Sequence, residues 1–196
     1  GQGRTYIRSS TDVPSEIDVE EACNTILKGD ISVSYGMFAD VVLNGRFRMG
    51  DTVSVREGSK LRVALRAAAP SWVRPEKAIV FLNGYPVAEK PLSAKEGKAF
   101  DETLTFTIPV PKHDAHLVCV VFGDGVKDPS WRTREPYTFA TTNPIFLDVD
   151  RDSKYRNPRE TAKNLLSQAG SDLESQWAII TSADDDAIAT QMLSLV

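Results

Sequence analysis

Short runs of alternating apolar and polar residues, repeated from residue 31 to residue 147, constrain the fold of this chain more than any other feature. In one run, Leu61, Val63 and Leu65 alternate with Lys60 and Arg62, which is the period of a strand with one solvated face. A parallel sheet would require a crossover, usually a helix, between successive strands, and no helical pattern lies between these runs. Other runs begin near residues 31, 41, 78, 85, 104, 117, 137 and 145. The pattern predicts a mainly β protein, an antiparallel immunoglobulin-like β-sandwich of about eight or nine strands.

Two Asn-Gly pairs mark the tightest turns of this region. Asn44-Gly45 and Asn83-Gly84 each follow a run of apolar residues, and Asn-Gly is the strongest short-range signal for a hairpin turn. We therefore predict that each pair connects two adjacent antiparallel strands. The run from 117 to 122 is apolar on both faces, which predicts a central strand.

Helical signals lie on both sides of the strand-rich region. Asp18 is a good N-cap, and residues 19–27 place apolar side chains on one helix face, which we expect to pack on the strands. Asn157, Pro158 and Glu160 form a typical helix start, and two or three short helices follow. We therefore divide the chain into an N-terminal segment and helix (1–30), a β-sandwich domain (31–152) and a C-terminal helical tail (153–196).

Composition argues against several classes of function. The chain has 196 residues, a formal net charge of −4 and a sequence pI of about 5.3, so we expect no nucleic-acid partner. No apolar run reaches the ~18–20 residues that a membrane-spanning helix needs. Cys23 and Cys119 are expected to be small buried hydrophobic residues. No signal peptide is visible, but a trimmed chain would look the same, so the compartment stays open, with a periplasmic or secreted location as our expectation.

Three acidic residues at alternate positions follow the last predicted strand. Asp148, Asp150 and Asp152 match the first, third and fifth positions of a calcium loop. Such a loop takes oxygen ligands from alternate residues so that the turning backbone can wrap around the ion. The spacing predicts a calcium site, and calcium is the one cofactor that the sequence suggests.

The remainder of the loop departs from the calcium pattern. Ser153 occupies the sixth position, where glycine normally allows a sharp turn, and Arg159 occupies the twelfth position, where a glutamate normally binds the ion. These departures favour a solvated acidic turn between strand and helix, held by Arg156 or Lys154, over the calcium site.

Two further groups of residues suggest a binding site. His113 and His116 lie close in sequence, but the prolines before them and the strand after them favour a polar loop over a metal site. Trp72 and Trp131 lie in predicted loops, where binding residues concentrate. They are candidates for stacking on a sugar, together with Tyr85 and Tyr137, or for packing at the ends of the sandwich.

Two segments resemble part of a known family. The first comprises residues 4–12 (RTYIRSSTD), 17–22 (IDVEEA) and 33–36 (VSYG), and the second is 142–150 (TNPIFLDVD). Together they are similar to the region that follows the catalytic domain in PHP-type (polymerase and histidinol phosphatase) metallohydrolases of the CehA/McbA-like branch. The resemblance covers residues 4–152.

In that family the preceding catalytic domain is an α/β barrel that binds metal ions through clustered His and Asp residues. A site that holds several ions and activates water needs many such ligands. This chain has only two histidines, and none of the family's histidine-rich motifs is present. The resemblance therefore implies the C-terminal accessory region without the catalytic barrel, and no catalytic residue is carried over.

These observations predict a non-catalytic accessory domain, not an enzyme, that packs on or assembles a neighbouring catalytic domain of a PHP-like metal-dependent hydrolase. The alternative is an extracytoplasmic carbohydrate-binding or adhesion-type module, with Trp72 and Trp131 as ligand-binding residues.

Overall fold

The computed structural model describes residues 3–196, which form a mainly β protein with antiparallel sheets and four α-helices. The strands are β1 (Gly3–Ile7), β2 (Ile31–Tyr35), β3 (Phe38–Leu43), β4 (Thr52–Ser54), β5 (Lys60–Ala69), β6 (Pro75–Leu82), β7 (Tyr85–Pro91), β8 (Phe100–Pro109), β9 (Ala115–Asp124), β10 (Tyr137–Thr142) and β11 (Ile145–Asp148). The helices are α1 (Val19–Lys28), α2 (Pro158–Ala169), α3 (Leu173–Ser182) and α4 (Asp186–Leu193). The count exceeds the predicted eight or nine strands because β1 and the short β4 lack a clear alternating pattern.

The larger sheet has eight strands and is built around β9. β9 pairs with β10 and β11 along one edge and with β6 along the other, which confirms the predicted central strand. β2 and β1 extend the sheet beyond β10, and β7 extends it beyond β6. β4 pairs with β11 in parallel, so the expectation of an antiparallel arrangement fails at this pair. The two strands are far apart in sequence, so no hairpin fixes their relative direction.

The smaller sheet has the order β3-β5-β8, with antiparallel pairs throughout. Along β5, Leu61, Val63 and Leu65 are at most 1% exposed, whereas the residues between them are more exposed, as the alternation predicted. These side chains join one hydrophobic cluster with residues of the larger sheet such as Leu117 and Ile145. Full burial of each such side chain is worth about 1.5–3 kcal/mol.

The two Asn-Gly pairs have different outcomes. Asn83-Gly84, with φ of 50° and 86°, connects β6 to β7 in the predicted hairpin. Asn44-Gly45, with φ of 52° and 72°, also forms a tight turn, but β3 pairs with β5. The segment after this turn returns only to a single bridge between Leu43 and Phe47. The hairpin prediction is therefore wrong there, because the next strand, β4, pairs with β11 instead.

Helix α1 forms where it was predicted, but its apolar face is not buried. Asp18 caps the helix by accepting hydrogen bonds from two backbone N–H groups of the first turn. No residue of α1 is buried, and Val19 and Leu27 are 74% and 85% exposed, although we expected this face to pack on the strands. Cys23, also expected to be buried, is exposed, whereas Cys119 is buried in the sheet. The helix contacts β1, a strand at the sheet edge, and so leaves its apolar side in solvent.

The C-terminal helices form a second hydrophobic cluster, separate from that of the sheets. Its buried members are Ala162, Leu166, Ile180, Ile188 and Met192. Polar contacts attach this cluster to the sheets: Asn83 Nδ2 lies 3.3 Å from Asp185 Oδ2, Tyr85 Oη lies 3.1 Å from Thr190 Oγ1, and Lys112 pairs with Asp184. Within the described part of the chain, every helix is too short or too polar to span a bilayer.

Candidate metal centre

The candidate metal centre lies in the loop that connects β11 to α2. β11 ends at Asp148, and α2 begins at Pro158, after Asn157, which forms a capping box with Glu160 at the predicted helix start. In between, Arg151 and Ser153 adopt the left-handed conformation, with φ of 63° and 66°. Because this conformation costs a non-glycine residue about 1–2 kcal/mol, the surrounding contacts must hold the loop in its bent shape.

These two left-handed residues occupy the fourth and sixth positions of the calcium-loop pattern, counted from Asp148. Glycine is usual at the sixth position because the backbone turns sharply there. Ser153 makes a sharp turn without glycine, and its backbone N–H donates to Asp148 Oδ2 at 3.1 Å. The loop therefore turns where a calcium loop turns, although the side chain at this position departs from the pattern.

The Asp148 carboxylate is the most deeply buried acidic group of the centre, at 0% exposure. Its Oδ2 atom accepts hydrogen bonds from Ser54 Oγ at 2.7 Å and from the backbone N–H of Ser153. Its Oδ1 atom has no hydrogen-bond partner among residues 3–196. A buried carboxylate oxygen without a partner is costly, because neither water nor the protein compensates its charge. This oxygen is therefore available for a cation.

Asp114 is the second buried acid of the centre, at 4% exposure, and it lies immediately before β9. Its Oδ1 accepts from the backbone N–H of Val149 at 2.8 Å, and its Oδ2 accepts from that of Arg156 at 3.0 Å. The antiparallel pairing of Ala115 with Leu147 brings it beside the loop. One carboxylate therefore holds both arms of the loop against the sheet.

Asp150 completes the group from the solvent side. One carboxylate oxygen from each of Asp114, Asp148 and Asp150 lies within 4.8 Å of the corresponding oxygens of the other two. Calcium binds oxygen at about 2.3–2.6 Å, so two ligands on opposite sides of one ion lie about 5 Å apart. The spacing of the three oxygens therefore fits a single cation of this kind.

Asp152, the third acid of the predicted site, is not one of these three residues. Its Oδ1 accepts from the backbone N–H of Lys154 at 2.9 Å, and its Oδ2 pairs with the guanidinium of Arg156. Burial raises the pKa of Asp152, but these bonds outweigh it and hold the pKa below its usual value. The sequence thus placed Asp148 and Asp150 correctly in one group, whereas Asp114 takes the place expected for Asp152.

Arg156 is the cation nearest to the centre. Its guanidinium pairs with Asp150 Oδ2 and Asp152 Oδ2, chiefly through the hydrogen bond to Asp152, and these contacts raise its pKa. The guanidinium therefore pairs with two acids of the loop, and among residues 3–196 it makes no such pair with the buried Asp114 or Asp148. The arrangement is compatible with both hypotheses from the sequence. An arginine binds the acidic turn, and one buried carboxylate oxygen, Asp148 Oδ1, has no hydrogen-bond partner among residues 3–196.

The ligand chemistry of the centre is that of a hard cation. Calcium and magnesium prefer carboxylate and carbonyl oxygen, whereas zinc and copper sites use His and Cys. The three grouped residues are all aspartates. An adjoining cleft of about 280 Å³ is lined by Asp114, Asp150, Arg156 and His113, among others, so the exposed side of the centre opens to solvent.

The two histidines do not form a site with each other. His113 lines the cleft, whereas His116 Nδ1 lies 2.9 Å from the Tyr155 hydroxyl. Burial lowers the pKa of His116, and burial together with the charges of Asp114 and Glu160 raises the pKa of Tyr155 to about 12. The favoured interpretation as a polar loop thus missed that Asp114, which directly follows His113, belongs to the candidate metal centre.

The candidate stacking residues lie apart from the metal centre. Trp72 and Trp131 line a common cavity of about 390 Å³, so the structure brings these two together. Tyr85 instead contacts Thr190, and Tyr137 lies against Tyr35 at a ring-centroid distance of 6.2 Å. The two tyrosines are therefore not part of that cavity.

Comparisons with known proteins give no relative for this chain. No protein-family model, no curated protein and no solved structure matches it. The resemblance to PHP-type metallohydrolases therefore stays a prediction from the two sequence segments.

Proposed function

We propose that this chain is a non-catalytic, calcium-stabilised accessory domain whose two sheets form an immunoglobulin-like β-sandwich. The observation that carries the proposal is the Asp148 carboxylate, which is buried and has an Oδ1 atom without a hydrogen-bond partner among residues 3–196. Its neighbours, Asp114 and Asp150, supply oxygen at a spacing that suits one calcium ion.

A structural role for the ion is favoured over a catalytic one. Both oxygens of Asp114 and one oxygen of Asp148 already accept hydrogen bonds from backbone N–H groups, so these side chains are held rigidly. The ion would connect the start of β9, the end of β11 and the loop that leads into α2. Its effect would be to fix the helical tail on the sheets.

The accessory role is supported by the exposed apolar side of α1. Val19, Ile26 and Leu27 are 74%, 48% and 85% exposed, and Val13 and Ile17 before the helix are also exposed. The sequence resemblance implies a catalytic domain as the neighbour that covers this side. The domain would then shape or assemble that neighbour rather than carry out a reaction of its own.

Thermal unfolding in millimolar calcium and in EDTA tests the role of the ion. At a calcium concentration a hundred times the Kd, binding adds about 2.7 kcal/mol to the stability. For a chain of this size we expect the Tm to rise by about 5–10 °C. Magnesium at the same concentration should raise the Tm less, because it demands strict octahedral geometry and gives up its water reluctantly. Equal Tm values in calcium and EDTA would contradict the proposal.

An activity assay tests the non-catalytic part of the proposal. The chain is incubated with phosphomonoester and phosphodiester substrates in the presence of manganese or zinc. We expect rates indistinguishable from those of the buffer with metal alone. Saturable turnover that survives further purification would show that the chain is itself an enzyme and would overturn the accessory role.

A further inference from the structure

We propose that the cavity between Trp72 and Trp131 binds an acidic sugar, a uronic acid residue of a glycan. This inference is independent of the calcium site and goes beyond the accessory role. The cavity has a volume of about 390 Å³, which lies within the usual range of about 300–1,000 Å³ for small-molecule sites. Its walls come from the β1–β2 edge, the β5–β6 loop and the β9–β10 loop.

The two tryptophans offer aromatic surface at the mouth of the cavity. Trp72 is 51% exposed and lies in a turn closed by the hydrogen bond from Val73 N to Pro70 O at 3.0 Å, with Val73 only 1% exposed. Trp131 is half-buried and packs against the hydrophobic cluster of the sheets. The Trp131 ring is therefore held by packing, and the backbone of the turn that carries Trp72 is held by a hydrogen bond.

Gly36 makes room for one of these rings. It has a φ of +100°, and a Cβ atom at this position would lie 3.1 Å from Trp131 Cη2 and 3.1 Å from Thr138 Cγ2. A larger residue would strain the backbone and push against the indole. The close approach of strand and ring fixes the position of Trp131.

The floor of the cavity carries two polar groups on neighbouring strands. Arg4 of β1 and Ser34 of β2 are register partners in an antiparallel pair, so their side chains lie next to each other on one face. Tyr6 lies on the same face as Arg4, and its ring meets Phe38 edge-on at a centroid distance of 5.0 Å. The register therefore places a guanidinium, a hydroxyl and an aromatic ring together.

Within the described range 3–196, neither of these two polar side chains pairs with another side chain. Ser34 is only 3% exposed, yet its hydroxyl makes no side-chain hydrogen bond among residues 3–196. Over the same residues, Arg4 makes no ion pair, although it lines the cavity with both tryptophans. Both groups line the cavity, and a ligand that supplies oxygen atoms would give each of them a hydrogen-bond partner there.

The combination of groups selects the class of ligand. The C–H-rich face of a pyranose ring packs on an indole, whose π face is negative. Arg4 suits a carboxylate, which it can bind through two parallel hydrogen bonds, and Ser34 suits a ring hydroxyl. A neutral sugar would leave Arg4 without a partner, and a phosphate would find only one cation among the residues that line the cavity. A hexuronate offers a ring face, hydroxyls and one carboxylate, and so uses all of these groups.

Titration with short acidic glycans tests the proposal. Trigalacturonate, trimannuronate and a hyaluronan tetrasaccharide are titrated by calorimetry at a fixed free calcium concentration, beside the methyl esters, which keep the rings but lose the charge. We expect at least one of the acids to bind, and its ester to bind about tenfold or more weakly, which corresponds to ~1.4 kcal/mol. The proposal would be overturned if none of the three acids bound, or if an acid and its methyl ester bound with equal affinity.

Matched variants separate the roles of the groups. Arg4→Met should lower the affinity for the acidic glycan about tenfold and leave the affinity for its methyl ester unchanged. Trp72→Ala should lower both affinities. Trp177→Ala removes another exposed tryptophan, 58% exposed on α3 and outside the cavity, and should change neither affinity. Arg4 and Trp72 are exposed, so both variants should keep the calcium-dependent Tm of the unmodified chain. If Arg4→Met bound the acidic glycan as tightly as the unmodified chain does, Arg4 would not bind the carboxylate and the proposal would be wrong.

Discussion

Asp148 combines complete burial with a carboxylate oxygen that has no hydrogen-bond partner among the described residues. Asp148→Asn removes the buried charge and keeps one oxygen to accept from Ser54 and Ser153. In EDTA we expect this variant to unfold at the same temperature as the unmodified chain or above it. In calcium we expect it to lose the rise in Tm, because an amide is a poorer ligand than a carboxylate.

The control for this variant is Asp184→Asn. Asp184 forms an ion pair with Lys112 in which both side chains are about half-exposed, and it lies outside the metal centre. Differential scanning calorimetry should show the full calcium-dependent rise for Asp184→Asn. If Asp148→Asn also showed the full calcium-dependent rise in Tm, the ion would have to bind elsewhere.

Arg156 sets a pH-dependent contribution to stability through Asp152. Its guanidinium and the N–H of Lys154 outweigh burial and keep the pKa of Asp152 below the usual 3.8. A depressed pKa in the folded state means that this contribution is present above about pH 4 and is lost as the pH falls through the folded value. In Arg156→Gln, carbon-detected NMR titration should show the pKa of Asp152 closer to 3.8.

Arg159→Gln serves as the comparison, because Arg159 bonds to Gln191 and Ser194 and to no carboxylate that the described residues provide. Its substitution should leave the titration of Asp152 unchanged. An unchanged pKa of Asp152 in Arg156→Gln would show that the guanidinium does not hold this carboxylate in solution.

Single residues were predicted from sequence only where the signal was local. The alternation of Asp148 and Asp150 is visible in the chain, because successive residues of one loop carry it. The sequence does not reveal that Asp114 belongs to the same acidic group, because it reaches the loop through the pairing of β9 with β11, which joins residues far apart in sequence. Ser153 stands where a calcium loop normally has glycine, yet it turns sharply with a φ of 66°, and its backbone N–H bonds to Asp148, a contact that the sequence does not show.

Among the elements, β5 and α1 each have one apolar face in sequence, but the surroundings of these faces are opposite. Leu65 of β5 is 0% exposed in the main cluster, whereas Leu27 of α1 is 85% exposed. Leu65→Ala should lower the free energy of unfolding by about 2–5 kcal/mol, because it opens a cavity in a packed core. Leu27→Ala should change it by no more than about 0.5 kcal/mol, as is usual for an exposed position.

Urea unfolding of both variants in calcium gives the two free energies. A cost for Leu27→Ala similar to that of Leu65→Ala would show that α1 packs on the chain in solution and would remove the exposed surface on which the accessory role rests.

Elements were easier to predict from sequence than their partners. Alternation along β5 and the apolar run of β9 identified these strands, because the period of two depends only on local backbone geometry. The Asn44-Gly45 turn formed, but which strand pairs with β3 depends on how the two sheets share one hydrophobic cluster. The same holds for α1, whose amphipathic pattern specifies a helix but not the surface that covers it.

In the molecule as a whole, the metal centre lies where two hydrophobic clusters meet. One cluster belongs to the sheets and the other to α2–α4, and the chain passes between them through the loop after Asp148. Polar contacts also join the two parts, such as those of Asn83 with Asp185 and of Tyr85 with Thr190. An ion bound by Asp114 and Asp148 would therefore act at the junction and couple the stability of the helices to that of the sheets.

Calorimetric titration of calcium into the chelator-treated chain is the most direct test of whether a calcium ion binds at this centre. We predict saturable binding of one ion per chain, with an affinity about tenfold or more lower in Asp114→Asn, the substitution of a ligand that lies outside the loop. Absence of saturable binding, or an affinity that Asp114→Asn leaves unchanged, would contradict the presence of a calcium ion at this centre.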